Sequence, residues 1–179
     1  PKIPKKEVLY EFDLQIECLN PFWREEEETK EDIASWVAAW HFPCVIEKDN
    51  AKSMIYGYRA ESVIVDCYNE GDVSTGMRIR FTALGTVSNP ILLNVDTEEF
   101  IQINATMKTG DVIEINPKYG SKGAKLIRDG VETDYFRYID VDSTFMQLAI
   151  GDNMFRYDAA SGVNSLEVSI FYSKEFLGV

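Results

Sequence analysis

Few side chains in this 179-residue chain have the types and spacing that catalysis requires. The single histidine, His41, would have to supply any general base, Ser-His or Cys-His pair, or imidazole zinc ligand. It stands between Trp40 and Phe42, and no Ser, Cys or carboxylate lies at a recognised motif spacing from it. We therefore interpret His41 as a packed or surface residue and not as a catalytic group.

The second candidate for chemistry is a pair of aspartates. Asp140 and Asp142 flank Val141, so in an extended segment both carboxylates would point to the same face. Such a pair could serve a glycosidase or bind Ca²⁺. No calcium-loop pattern surrounds it, and a solvated acidic loop explains it better. We accordingly predict no catalytic residue, no metal, no cofactor and no enzymatic activity, and we assign no ligand-binding residue.

Glycines and aromatic residues offer two weaker signals. The segment 71–76 contains two glycines but precedes a predicted strand, so it is a turn and not a phosphate-binding loop. Aromatic faces can stack on sugars, but in a β-rich chain packing in the core and its rim is the usual role of such residues. The aromatic side chains considered for a carbohydrate site are Trp36, Trp40, Tyr56, Tyr58, Tyr119 and Tyr135.

Composition narrows the class of protein. The net charge is -12, with 30 acidic and 18 basic residues, which disfavours direct binding to nucleic acid. Cys18, Cys44 and Cys67 are odd in number and widely spaced, which fits folding in a reducing cytoplasm without disulfides. No apolar run approaches the roughly 20 residues of a membrane span. The basic start is not followed by the apolar h-region of a signal peptide.

Alternating polar and apolar residues predict about ten to twelve short strands, with turn signals at intervals typical of an antiparallel sandwich or jelly roll. Residues 101–105 and 113–115 are two such strands, joined by a turn at Lys108–Asp111, and Asp129-Gly130 predicts a second turn. Further predicted strands cover 78–84, 91–95, 124–128, 135–140, 143–148, 154–159 and 166–172.

One segment has a different period. Ile33, Trp36, Val37 and Trp40 recur at helical spacing, and Thr29 with Asp32 resembles a capping box. This pattern predicts a short amphipathic helix near residues 30–40. It is the only helix that the sequence predicts.

The first residues are organised separately. Residues 7–18 alternate in period 2 and predict an isolated strand, which the Asn20-Pro21 step ends. The start at Pro1 suggests a fragment or a processed chain. We predict two regions: residues 1–22, a connecting segment and strand from a missing N-terminal domain, and residues 23–179, a C-terminal β-sandwich.

Several phrases of the sequence, in order, resemble those of siphophage distal tail proteins. The likeness extends over most of residues 17–179, but Asp96–Glu99 lacks a glycine expected there in a Thr-Gly-Glu sequence. The phrases are Glu17–Trp23, Asn69–Gly76, Gly85–Pro90, Glu99–Asn104, Gly110–Asn116, Gly120–Lys122, Asp142–Phe145 with Leu148, Gly151–Asn153 and Phe176–Val179.

The resemblance implies a structural protein of the virion. In that family an N-terminal domain builds a homo-hexameric ring at the distal tail, and a galectin-like β-sandwich projects outward as an attachment surface. The implied partners are the tail tube, the tail-associated lysin or tip protein and the receptor-binding protein. The implied location is the distal tail of the virion, after synthesis in the bacterial host cytoplasm.

Two alternatives remain open at this point. A galectin-like sandwich could instead be a lectin-like module that binds host saccharides and aids adhesion, although fold alone does not transfer sugar binding. A cell-wall glycosidase that uses Asp140 or Asp142 is a more distant third. The resemblance assigns no residue to either activity.

Overall fold

The computed structural model describes residues 12–15, 21–33, 36–38, 57–59 and 64–178. Within these residues every strand pairing is antiparallel, and two larger sheets share one hydrophobic core. The predicted antiparallel β-sandwich is therefore confirmed. No helix among the described residues has the length and apolar character needed to cross a membrane.

Fifteen strands are present in the described residues. In chain order they are β1 (Trp23–Arg24), β2 (Thr29–Asp32), β3 (Trp36–Ala38), β4 (Gly57–Arg59), β5 (Ile64–Asp66), β6 (Met77–Ala83), β7 (Val87–Asn94), β8 (Phe100–Gln102), β9 (Thr106–Met107), β10 (Val112–Asn116), β11 (Gly123–Arg128), β12 (Val131–Asp134), β13 (Met154–Ser161), β14 (Leu166–Tyr172) and β15 (Glu175–Phe176).

The two main sheets have different orders. The six-stranded sheet runs β12-β11-β10-β6-β14-β2, and the five-stranded sheet runs β5-β13-β7-β8, with β9 also pairing with β7. Two small two-stranded sheets, β1-β15 and β3-β4, complete the described pairings. Neighbouring strands are often far apart in sequence, so the chain crosses repeatedly between the layers.

The core follows from strict alternation along the central strands. In β6 and β14 every second residue is buried, because a strand sends successive side chains to opposite faces of its sheet. Ile79 and Phe81 on β6 are fully buried, as are Leu92 on β7 and Phe155 on β13 in the other sheet. Inward faces of both sheets thus build one apolar layer, which is the main source of stability in such folds.

Two predicted turns form as expected. Gly110 adopts a φ of 87°, and the hairpin between β11 and β12 turns at Asp129 and Gly130 with φ of 49° and 78°. Two successive positive φ angles match the right-handed twist of a hairpin, and Asp-Gly is a favoured pair for such a turn.

The two strands predicted before and after Gly110, at residues 101–105 and 113–115, do not form a hairpin with each other. β8 pairs with β7 in the five-stranded sheet, whereas β10 pairs with β6 and β11 in the six-stranded sheet. Between β8 and β10 the polypeptide therefore passes from one layer of the sandwich to the other. Alternation marks which side chains are buried but does not identify the strand that will pair.

The predicted helix near residues 30–40 is wrong in the described residues. Thr29–Asp32 is strand β2, which pairs with β14 at the edge of the six-stranded sheet, and Trp36–Ala38 is strand β3, which pairs with β4. Ile33 donates its backbone N–H to Val168 O at 2.9 Å and is buried, so sheet pairing satisfies the backbone that a helix would otherwise satisfy. Tertiary pairing overrides the helical spacing of four apolar residues.

Other strand predictions have mixed outcomes. Strands at 78–84, 91–95, 124–128, 154–159 and 166–172 are confirmed within a few residues. Residues 135–140 instead contain a 3-10 turn at Phe136–Tyr138, and residues 143–148 form no strand. Residues 12–15 have no regular secondary structure, and the rest of the strand predicted at 7–18 lies outside the described residues.

Candidate functional site

The outer face of the six-stranded sheet carries a row of alternating charges. Arg78 and Arg80 on β6 both reach Glu114 on β10, with N–O distances of 3.3 and 2.5 Å. Lys125 on β11 lies 3.2 Å from the other oxygen of Glu114 and 3.0 Å from Glu132 on β12. These five residues form a charge ladder across four strands. The register places Glu114 directly opposite Arg80 on one side and Lys125 on the other, whereas Arg78 and Glu132 reach their partners diagonally.

Glu114 is the centre of the charge ladder. Its side chain is only 8% exposed, so burial raises its pKa, but hydrogen bonds from Arg80 and Lys125 outweigh burial and leave the pKa below its usual range. The carboxylate is therefore held ionised and fully engaged by cations. This arrangement favours a fixed structural charge over a general acid, which would need a raised pKa.

An aromatic ring beside the charge ladder is covered. Phe171 on β14 lies beneath both guanidinium groups, with Arg78 at 4.3 Å and Arg80 at 4.9 Å from the ring centroid. A depression of about 470 Å³ opens next to it, bordered by Arg24, Glu28 and other residues. Because cations already occupy the ring face, Phe171 offers no open platform on which a sugar could stack.

The outer face of the five-stranded sheet has a different character. Ile64 on β5 and Leu93 on β7 both lie opposite Arg156 on β13, and Leu93 lies opposite Phe100 on β8. Met154, Val95 and Ile91 continue the apolar surface on either side of this row. We call these seven residues, Ile64, Ile91, Leu93, Val95, Phe100, Met154 and Arg156, the apolar face. Antiparallel sheets usually present polar side chains to water, so this face is a candidate contact surface.

Two buried asparagines fasten the loops at one end of the sandwich. The Asn153 side chain donates to the carbonyls of Cys67, Ala149 and Gly151 and accepts from the N–H of Ala149. Asn69 donates to Val73 O at 3.0 Å and accepts from the N–H of Gly71. Both belong to phrases that resemble distal tail proteins, and here they have structural roles.

Asp140 and Asp142 lie in a turn and not in an extended segment. Asp140 accepts hydrogen bonds from Asn104 Nδ2 at 2.5 Å and from the backbone N–H of Asp142 at 2.9 Å. The bond from Asn104 is the main cause that lowers the pKa of Asp140. Among the described residues no three His, Cys, Asp or Glu side chains form a group that could hold a metal ion.

The aromatic candidates are not gathered into a groove in the described part of the chain. Tyr119 is 74% exposed, with Lys122 Nζ 5.5 Å from its ring centroid, whereas Tyr135 packs on Tyr138 at 4.1 Å. His41, Trp40, Tyr56, Cys18 and Cys44 lie outside the described residues, as do the side chains of Trp36 and Tyr58.

Cys67 is fully buried, and burial raises its pKa to about 12, so it has little thiolate character. It therefore packs as a small apolar side chain within the core.

Neither the charge ladder nor the apolar face was predicted from the sequence. Arg78, Arg80 and Glu114 do stand at alternate strand positions, which shows that they face outward. The sequence does not indicate that β10 pairs with β6, because these strands are separated by some thirty residues.

The fold and these surfaces define a β-sandwich domain with one charged face and one apolar face. The family described as siphovirus-type tail component, C-terminal domain, matches residues 70–176. This match spans more than half of the chain, and the chain belongs to that family. The resemblance seen in the sequence is thereby confirmed.

The fold is shared with a solved structure. The Dit protein (gp 19.1) of phage SPP1, described as a paradigm of the hub adsorption apparatus in phages that infect Gram-positive bacteria, superposes with a TM-score of 0.58 at 13% identity. The superposition covers 89% of this chain and 51% of that protein. This chain therefore spans about half the length of the protein that it matches.

A chain from the phage P2 baseplate in its activated conformation with Ca gives a TM-score of 0.44 at 11% identity, covering 82% of this chain and 53% of that one. The corresponding structure with Sr gives the same TM-score at 12% identity. No curated protein matches the chain significantly in sequence.

Proposed function

We propose that this chain is the outer domain of a distal tail protein and that it provides an attachment surface for other tail proteins. The family match over residues 70–176 carries the proposal, because it covers most of both main sheets. The role of the SPP1 protein in a hub adsorption apparatus supports a location at the distal end of the virion tail.

The proposed domain boundary lies near residue 22. β1 begins at Trp23 and pairs with β15, so from Trp23 onward the chain is tied to the last strand of the sandwich. We propose that residues 1–22 connect to a preceding ring domain that forms a hexamer in the full-length protein. The half-length coverage of the SPP1 protein supports this division.

The proposed partners are the tail tube, the tail-associated lysin or tip protein and the receptor-binding protein. The charge ladder suits such a scaffold role, because cross-strand ion pairs favour a rigid sheet with a defined outer surface. Glu114 is held ionised by its cations, which supports a non-enzymatic role for that face. We propose that the protein is made in the host cytoplasm before it enters the virion.

Saccharide binding is the second candidate function. Trp23 and Tyr119 are 72% and 74% exposed, and exposed aromatic side chains are the usual sugar platforms. The covered ring of Phe171 weighs against a stacking site beside the charge ladder. A glycan array tests this function: signal that Trp23→Ala or Tyr119→Ala abolishes would favour it over a pure assembly role.

Gold-labelled antibody against this chain, viewed by electron microscopy on particles of the encoding phage, tests the main proposal. We expect label only at the distal end of the tail. Label along the whole tail, on the capsid or only on free protein in the lysate would contradict it. Antibody preincubated with the purified chain provides the control for specific labelling.

A further inference from the structure

We propose that the apolar face is a docking surface for a different tail protein, whose own contact surface has an apolar centre and a rim of lysine and arginine. This inference rests on the proposed function and assigns one face of the sandwich to it. It concerns the five-stranded sheet and not the charge ladder.

The apolar face exposes more hydrophobic surface than the fold needs. Ile64 is 47% exposed, and Leu93 and Phe100, in the same row across the sheet, are half-buried. Met154, beside this row, is 39% exposed. The inward residues of the same strands, such as Phe155 and Leu92, already fill the core. The outward apolar residues are therefore additional to what the fold requires, and such a patch on a protein surface commonly marks a contact site.

The centre of the apolar face has the composition of a protein interface. Arg156 lies between Ile64 and Leu93, with a side chain 50% exposed and an ion pair to Asp158 at 3.6 Å. Arginine and methionine surrounded by aliphatic and aromatic residues are enriched at protein interfaces. The charge ladder has the opposite composition, because its cations already form ion pairs with its acidic residues. Arg80 and Lys125 pair with Glu114, and Lys125 also pairs with Glu132.

The charges around the apolar face indicate which kind of partner it binds. Acidic residues surround the apolar face, with Asp66 on β5, Asp158 on β13, and Asp96 and Glu98 in the turn after β7 all exposed. A second copy would bring the same acidic rim and a net charge of -12 against this one. Opposite charges across an interface steer association and like charges oppose it, so the fitting partner is a different protein with a basic rim.

Site-specific photo-cross-linking in assembled particles tests this proposal. The full-length protein would carry a photo-reactive amino acid in place of Met154, and a matched protein would carry it in place of Ser169, an outward residue of β14 in the other sheet. After irradiation, mass spectrometry identifies the linked peptides. We expect position 154 to link to another tail protein through an apolar segment flanked by Lys or Arg, and position 169 not to link to that segment.

A variant series provides the quantitative result. Leu93→Glu should reduce the yield of this cross-link about tenfold or more, because it places a charge at the buried centre of the contact. Leu93→Met retains the apolar surface and should leave the yield nearly unchanged. Normal incorporation of both variants into particles shows that each has folded.

The outcomes separate the inference from the function on which it rests. Links from position 154 to a second copy, to the same chain, to an acidic segment or to nothing, in particles that contain the protein, overturn the inference and leave the proposed function standing. Particles without the protein overturn the proposed function and the inference together.

Discussion

Glu98 adopts a strained backbone conformation in the turn after β7, at a φ of 58°. This is the stretch in which the sequence lacks the glycine expected from its resemblance to distal tail proteins. Asn94 compensates in part, because its side-chain oxygen accepts the N–H groups of Asp96 and Thr97 at 2.9 and 3.2 Å. Residue 98 therefore has a backbone geometry that suits glycine, although the residue there is a glutamate.

The variant Glu98→Gly should stabilise the protein by about 0.5–1 kcal/mol, because glycine takes a positive φ without the steric cost that a Cβ brings. Urea unfolding measures the change. Glu98→Ala keeps a Cβ at that position and serves as the control, with little gain expected. A lower midpoint for Glu98→Gly than for wild type would show that the turn is unstrained.

Asn153 is a second residue whose environment makes a specific prediction. Replacing it with Ala removes three hydrogen bonds to buried or half-buried carbonyls and one from a backbone N–H. Unsatisfied groups of this kind cost about 1–3 kcal/mol each, with partial relief by water, so we expect a loss of about 2–4 kcal/mol. Thermal unfolding of Asn153→Ala beside the exposed Asn104→Ala checks this, and equal losses would contradict it.

Asp111 predicts a dependence of stability on pH. Hydrogen bonds from Arg128 at 2.7 and 2.5 Å are the main cause that lowers its pKa, despite a nearly fully buried carboxylate. A lowered folded-state pKa means that the carboxylate contributes stability above the pKa of an unfolded aspartate. That contribution is lost as the pH falls through the folded-state value.

The difference in unfolding free energy between wild type and Asp111→Asn should therefore be largest at neutral pH and should shrink towards acid pH. Urea unfolding at a series of pH values measures it. Asp152→Asn, in an exposed loop, is the matched control and should follow wild type throughout. A constant difference across the series would argue against the ion pair as the cause.

Strand β2 shows how an element depends on its partner. Ile33 donates its N–H to Val168, so with the two-residue period of a strand the N–H of Glu31 also faces β14, and that of Lys30 faces away. A helix over the same residues would have no such alternation. This contrast makes the assignment testable with proline, which removes a single donor.

Glu31→Pro should destabilise the protein by about 2–3 kcal/mol, whereas Lys30→Pro should cost at least about 1 kcal/mol less, because only the former breaks a bond of the ladder. Chemical denaturation of the two variants gives the comparison. Similar losses for both would mean that residues 29–32 are not held in this register.

The charge ladder and the apolar face lie on the two different sheets of one sandwich. Its net charge of -12 opposes self-association, and the hexamer that we propose depends on a ring domain that precedes this domain. The isolated chain should therefore be monomeric in light scattering at low salt and should remain so as salt is raised. A stable hexamer would overturn the assignment of ring formation to the preceding domain.

Local rules in the sequence were sufficient for the class of fold, for most strands from 78 to 172 and for the turns at Gly110 and Gly130. These depend on alternation and on glycine, whose effects act over a few residues. Strand partners, the exchange of layers between β8 and β10, and the strand at 29–32 depend on contacts between distant parts of the chain. The charge ladder and the apolar face exist only once distant strands stand side by side, because the spacing of residues along a chain does not specify which strands will pair.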